Sequence, residues 1–220
     1  MRFDLVIFDC DGVLIDSELL SVQADLECLA DDGIDLSTDE IIERYTGVSW
    51  ADMVADLEQR HGALSADLPE RHQRRLRALF EAELQAIPGV IEAIDSLSCR
   101  SCIASSGRPE RLRHALSLVG LYDRFHPQIF SATEVAHGKP APDLFLHASR
   151  RMGVPPQRCI VIEDSLPGVA AAVAAGMIAV GFTGGSHCPP DHAARLSDAG
   201  AALVIDRMRE LPAVLGRHWP

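Results

Sequence analysis

Five short apolar runs, at 3–8, 101–105, 159–163, 178–182 and 202–205, constrain this chain more than any other feature. Each has the length of a strand, and segments with helical periodicity lie between them. Strands alternating with helices build a parallel sheet, because a parallel crossover needs a dozen or more residues and a helix satisfies their backbone. Helices then cover both faces, so the strands are apolar throughout and do not alternate with polar residues. The expected fold is α/β, a Rossmann-like parallel sheet with helices on both faces.

The runs are unevenly spaced. Between residue 8 and residue 101 no convincing strand occurs, and four amphipathic segments take its place. Ser17 is placed to cap one that stops at Gly33, and Thr38 a second. Ser49 with Asp52 offers a capping pair for a third that stops near Gly62. A fourth runs from about Leu68 to Ala86 and ends at Pro88-Gly89. A crossover would have needed far less chain. The expected organisation is therefore a sheet domain from residues 1–16 and 87–220, with an inserted all-helical domain over 17–86.

Composition narrows the possible partners. A formal charge of −12 opposes nonspecific binding to nucleic acid and adhesion to an anionic membrane. The N-terminal apolar run is interrupted by acids too early for a secretory signal, and no stretch reaches transmembrane length. The reading is a cytoplasmic protein with a small-molecule partner, a monomer or weak dimer. Six dispersed cysteines fit reduced thiols, and Cys99-x-x-Cys102 lacks the second pair that a zinc site requires.

Ligands of open parallel sheets gather outside the carboxyl ends of the strands, so the residues following each run are the candidates. The first run ends in Asp9-Cys10-Asp11-Gly12, two carboxylates on a turn that glycine lets bend. The second ends in Ser105-Ser106-Gly107, a hydroxyl and amides leading into a helix near Arg108, an arrangement suited to phosphate oxygens. Lys139 lies in the rigid turn Gly138-Lys139-Pro140-Ala141-Pro142. The third run ends in Glu163-Asp164, oxygen ligands of the kind Mg²⁺ prefers. Read alone, each is equally a capped turn. Gathered at one crevice, the acids would repel one another unless a cation and the lysine balanced them.

Asp9-x-Asp11-Gly12-x-Leu14, Ser105, Lys139 and Glu163-Asp164, in this order, resemble the four motifs of the haloacid dehalogenase superfamily. The helical insertion after the first motif is similar to the cap of the subfamily holding β-phosphoglucomutase and many sugar-phosphate phosphatases. The resemblance implies a Mg²⁺-dependent phosphatase acting on a small phosphorylated metabolite, a sugar phosphate or phosphorylated sugar acid such as 6-phosphogluconate. It implies Asp9 as nucleophile forming an aspartyl-phosphate, Asp11 as acid and base, and Lys139 as the balancing cation. Asp9, the Asp11 carbonyl, Asp164 and Glu163 would hold Mg²⁺. Cys10, Ser105, Ser106, Gly107, Arg108 and Lys139 would surround the phosphoryl group.

The alternative is a phosphosugar mutase of the β-phosphoglucomutase type, which the triplet Gly47-Val48-Ser49 resembles. Mutases of the family follow that triplet with arginine and carry a histidine on the first cap helix. Here Trp50 and Leu20-Ser21 occupy those places, which favours water as the acceptor. The stretch Arg74-Arg75-Leu76-Arg77-Ala78-Leu79-Phe80-Glu81-Ala82-Glu83-Leu84 is similar to bacterial 6-phosphogluconate phosphatases of the subfamily. Its arginines suit either a second anionic group on the substrate or pairing with Glu81 and Glu83 on a solvated helix. The nine histidines show no ligand spacing and are read as surface or core residues, as is Trp219.

Overall fold

The computed structural model describes residues 3–45, 48 and 50–216; Gly47, Ser49 and Trp219 lie outside them. The chain forms two compact units, Met1–Asp16 with Gln85–Pro220, and Ser17–Leu84. The first unit begins with β1 (Leu5–Phe8). The second holds α1 (Glu18–Asp31), α2 (Thr38–Tyr45), α3 (Trp50–His61) and α4 (Leu68–Glu83). The first unit then continues through α5 (Val90–Asp95), β2 (Arg100–Ser105), α6 (Pro109–Leu118), α7 (Tyr122–Phe125), β3 (Ile129–Ser131) and α8 (Asp143–Met152). It closes with β4 (Cys159–Glu163), α9 (Leu166–Ala174), β5 (Ile178–Phe182), α10 (His192–Asp198), β6 (Leu203–Ile205) and α11 (Leu211–Leu215).

The sheet has six strands in the order β3-β2-β1-β4-β5-β6, every pair parallel. Five strands fall on the apolar runs. The sixth, β3, is only three residues long and too short to show a pattern. Leu5 and Ile7 join Cys102, Ala104, Phe130, Cys159 and Val161 in a core closed by Leu144, Phe145 and Ala148 of α8 and Val169 of α9. Val6 and Phe8 are also fully buried, and Phe8 meets Phe125 edge-on at 6.0 Å. Both faces of β1 are thus covered, which is why its sequence does not alternate. Burying each such side chain stabilises the fold by roughly 1.5–3 kcal/mol.

The strand order reverses between β1 and β4, and such a switch opens a crevice at the carboxyl ends of the two strands. Asp9 follows β1, and Glu163 is the last residue of β4. The two connections to the helical unit pair with each other. Ile15 bridges Ala86 antiparallel, Asp16 N donates to Gln85 O at 3.0 Å, and Ile87 N donates to Leu14 O at 3.0 Å. That pairing draws Gln85 and Ala86 into extended backbone, so α4 stops at Glu83, short of the expected Ala86.

In the helical unit, Val22 and Leu29 of α1, Ile41 and Tyr45 of α2, and Met53 and Leu57 of α3 form one buried cluster. The cap of α2 is Ser37 and not Thr38: Glu40 N donates to Ser37 Oγ at 3.2 Å, and Ser37 N to Glu40 Oε2 at 3.0 Å. This reciprocal box satisfies two donors that the helix start would otherwise leave open. Arg75 lies 3.1 Å from Glu27 and 3.4 Å from Asp31, and Arg77 lies 2.9 Å from Glu81. Arg75 and Arg77 are therefore each paired with acids of their own unit. Among the described residues, no helix is long and apolar enough to cross a membrane.

Candidate active site

Asp9 enters the site because its amide donates to Ile162 O at 3.0 Å, which carries the β1–β4 pairing one residue past the strand. The chain then turns tightly: Leu14 N and Ile15 N both donate to Cys10 O, at 2.9 and 3.1 Å, and Gly12 N donates to Ile15 O at 2.8 Å. Gly12 has a φ of +70°, and a Cβ there would lie 2.0 Å from Asp164 Oδ2. Only glycine fits both the conformation and the space.

Lys139 reaches in from the turn before α8, its side chain 4% exposed. Nζ lies 2.8 Å from Asp9 Oδ1 and 2.5 Å from Glu163 Oε1. The second oxygen of Glu163 accepts from Ser165 N at 2.7 Å and Ser165 Oγ at 2.9 Å. Ser165 Oγ in turn accepts from Gly168 N at 3.1 Å, capping α9. Glu163 is completely buried, and a Cβ on Gly168 would lie 1.7 Å from its Oε1. The glycine in the first turn of α9 is therefore what admits the carboxylate.

The electrostatics follow from this packing. Burial raises the pKa of Asp9 well above the ordinary carboxylate range, Lys139 opposes the rise, and Glu163, Asp164 and Asp11 add to it. Burial also raises Glu163, again against the pull of Lys139. Burial alone would lower Lys139, but Asp9 and Glu163 outweigh it, so the ammonium stays charged. Ligand oxygens of Asp9, Glu163 and Asp164 lie within 4.8 Å of one another, all buried. With Asp9 and Glu163 against Lys139 and Asp164 against His187, the three carboxylates form a compact, buried oxygen donor set, which fits a hard divalent cation such as Mg²⁺.

The expected phosphate-side residues lie at the end of β2 and the start of α6. Ser105 is buried and its Oγ accepts from Gly107 N at 3.1 Å, while Ser131 Oγ donates to Gly107 O at 2.7 Å. Ser106 is exposed, and Arg108 is the exposed N-cap residue of α6. Cys10 is fully buried, and burial followed by the charges of Asp11 and Asp9 pushes its thiol pKa well up. The Asp11 carboxylate faces Arg111, with Nη1 2.9 Å from Oδ1 and Nη2 against Oδ2.

Three residues at the site escaped the sequence reading. Arg111 lies one turn into α6, and His187 and His192 follow β5. His187 Nε2 lies 3.0 Å from Asp164 Oδ2, and His192 Nε2 lies 2.5 Å from the Asp164 carbonyl. Burial would lower the pKa of His187, but the hydrogen bond to Asp164 and its charge raise it to about 11. The missed signal was Gly184-Gly185-Ser186-His187, a turn at the carboxyl end of a predicted strand.

Residues 3–176 match the family model of the haloacid dehalogenase-like hydrolases. The 6-phosphogluconate phosphatase of Escherichia coli K12 is 30% identical over 191 residues, covering 86% of each chain. A conserved haloacid dehalogenase-like protein of unknown function from Agrobacterium tumefaciens superposes with a TM-score of 0.86 at 43% identity, covering 97% of this chain and 98% of that one. A haloacid dehalogenase family hydrolase from Deinococcus radiodurans, solved with bound phosphate and sodium, superposes with a TM-score of 0.80 at 36% identity, covering 98% and 96%. An open parallel sheet with a carboxylate–lysine cluster at its switch point defines the class. The chain belongs to the haloacid dehalogenase-like hydrolases and is a phosphatase.

Proposed function

We propose that this phosphatase is Mg²⁺-dependent and hydrolyses a small phosphorylated metabolite, a sugar phosphate or a phosphorylated sugar acid, through an aspartyl-phosphate on Asp9. The observation that carries the reading is Lys139 between Asp9 and Glu163, in the same buried cluster as Asp164. The relative named for 6-phosphogluconate supports the substrate class, and the phosphate and sodium bound by the Deinococcus protein are consistent with a fold that takes both an anion and a cation.

A carboxylate oxygen of Asp9 forms a bond to phosphorus as the ester P–O bond breaks, and Asp11 gives its proton to the departing alkoxide. Water then attacks the phosphorus of the aspartyl-phosphate, passing a proton to Asp11, so that Asp9 is released with inorganic phosphate. Lys139 lies against Asp9 throughout, and Ser105 with the amides of Asp11 and Ser106 holds the phosphoryl oxygens. Asp9, Asp164 and the Asp11 carbonyl would hold Mg²⁺, with Glu163 beside them orienting Lys139; the ion would supply charge neutralisation at the phosphoryl group. Where the family's mutases carry an arginine after the triplet, this chain has Trp50, which stacks on His72 with ring centroids 3.9 Å apart.

The test is phosphate release from a panel of sugar phosphates, phosphorylated sugar acids and nucleotides in Mg²⁺, run on the parent, Asp9→Asn and Asp11→Asn. The parent is expected to turn over sugar or sugar-acid phosphates, and Asp9→Asn to be inactive with its fold intact. Full activity in Asp9→Asn would remove Asp9 as nucleophile. Conversion of β-glucose 1-phosphate to the 6-phosphate without phosphate release would establish the mutase instead.

A further inference from the structure

Asp164, one of the three clustered carboxylates, is held from two sides by histidines of the segment after β5. His187 is almost completely enclosed, its side chain 1% exposed, and its Nε2 donates to Asp164 Oδ2 at 3.0 Å. His192, also buried, donates from Nε2 to the Asp164 carbonyl at 2.5 Å. One contact fixes the carboxylate and the other fixes the main chain that carries it.

The surroundings are shaped to this imidazole. A Cβ on Gly12 would lie 2.8 Å from His187 Cε1, and a Cβ on Gly185 would lie 2.8 Å from both Cε1 and Nδ1. Two glycines, one from the turn carrying Asp9 and Asp11 and one from the turn carrying His187, therefore leave the room that the ring fills. The second turn is tied to the first: Ser186 N and Oγ donate to Asp16 Oδ1 at 3.0 and 2.8 Å. A histidine that served only to fill core would not need a hydrogen bond to an acid. Here Nε2 lies 3.0 Å from Asp164 Oδ2 and 3.6 Å from Cys188 Sγ, while Nδ1 is buried without a hydrogen-bond partner.

We propose that His187 is a positioning residue of the metal centre, holding one oxygen of Asp164 so that the other is presented to a divalent cation. This rests on the Mg²⁺-dependent reading above. A carboxylate already oriented loses less freedom when it binds the ion, so removing the group that orients it weakens binding, by about 10- to 100-fold for outer partners of metal ligands. The role is separable from the proton transfer and phosphate binding proposed above, which are assigned to Asp11, Ser105 and Lys139.

The test is calorimetric titration of the parent, His187→Gln and His187→Leu with Mg²⁺, each checked for its thermal midpoint without metal. Glutamine keeps a donor for Asp164, and leucine keeps bulk without one. The expected result is a dissociation constant raised about 10- to 100-fold in His187→Leu and restored most of the way in His187→Gln. A folded His187→Leu that binds Mg²⁺ within about twofold of the parent would overturn the proposal. Should the leucine variant not fold, the parent decides: its His187 imidazole signals, assigned by their loss in His187→Gln, are expected to shift as Mg²⁺ is added, and unmoved signals overturn the proposal. A parent that binds no Mg²⁺ sinks the metal-dependent reading itself, an outcome distinct from failure of the variant comparison.

Discussion

Arg111 grips Asp11 with both terminal nitrogens, a bidentate pairing of guanidinium and carboxylate between α6 and the turn after β1. Such forked contacts fix direction as well as charge. The residue proposed to deliver and collect the proton is thus held by a neighbour that sequence reading passed over.

If Arg111 acts through Asp11, the two substitutions will not add. Arg111→Ala is expected to lower kcat/KM about 10- to 100-fold, and Asp11→Asn by more, with the double variant no slower than Asp11→Asn alone. Rates for the four proteins on one substrate check this. A double variant that loses the product of the two single effects would show that Arg111 works elsewhere.

Lys139 and Asp9 should differ in their effect on stability. Lys139→Ala leaves Asp9 and Glu163 buried without their cation, and breaking a buried pair in this way costs about 3–5 kcal/mol. Asp9→Asn removes one of several crowded carboxylates whose burial already raises its pKa, so it is expected to be neutral or stabilising. Urea denaturation without Mg²⁺ measures both. A stable Lys139→Ala would mean that Lys139 does not neutralise the cluster.

Gly168 leaves no space for even one methyl group. A Cβ 1.7 Å from Glu163 Oε1 must displace a carboxylate held by Lys139 and Ser165, so the cost of Gly168→Ala should exceed the usual 1–3 kcal/mol of overpacking. Gly153→Ala is the control: its φ of +64° carries backbone strain, but nothing lies within 4 Å of the added atom. Thermal midpoints should fall much further for Gly168→Ala, and equal losses would count against the steric account.

In the helical unit, Asp32 supplies an acid-sensitive contact. Burial would raise its pKa, but hydrogen bonds from Ser65 N at 3.0 Å and Ser65 Oγ at 2.8 Å, with Arg71, hold it below the ordinary range. A depressed folded pKa stabilises above the unfolded value of about 3.9, and that stabilisation is lost as pH falls through the folded one. Asp32→Asn should therefore melt below the parent at pH 7, and the gap should close on acidification below about pH 4. A gap independent of pH would assign the loss to packing.

The apolar runs and their spacing were enough to determine the α/β class, since both periodicity and crossover length are local properties. The ordered motifs at Asp9, Ser105, Lys139 and Glu163-Asp164 were enough to place the chain in its family. What only the tertiary structure decided was which side chains complete those motifs. Arg111 and His187 are far in sequence from the acids they hold, and an arginine on a helix or a histidine in a turn looks like many others until the strand order brings them together. The short β3 and the early end of α4 were hidden for the same reason: pairing partners set them, Ala104 and Ser105 in one case and Leu14 to Asp16 in the other, and no window of local sequence contains such a partner.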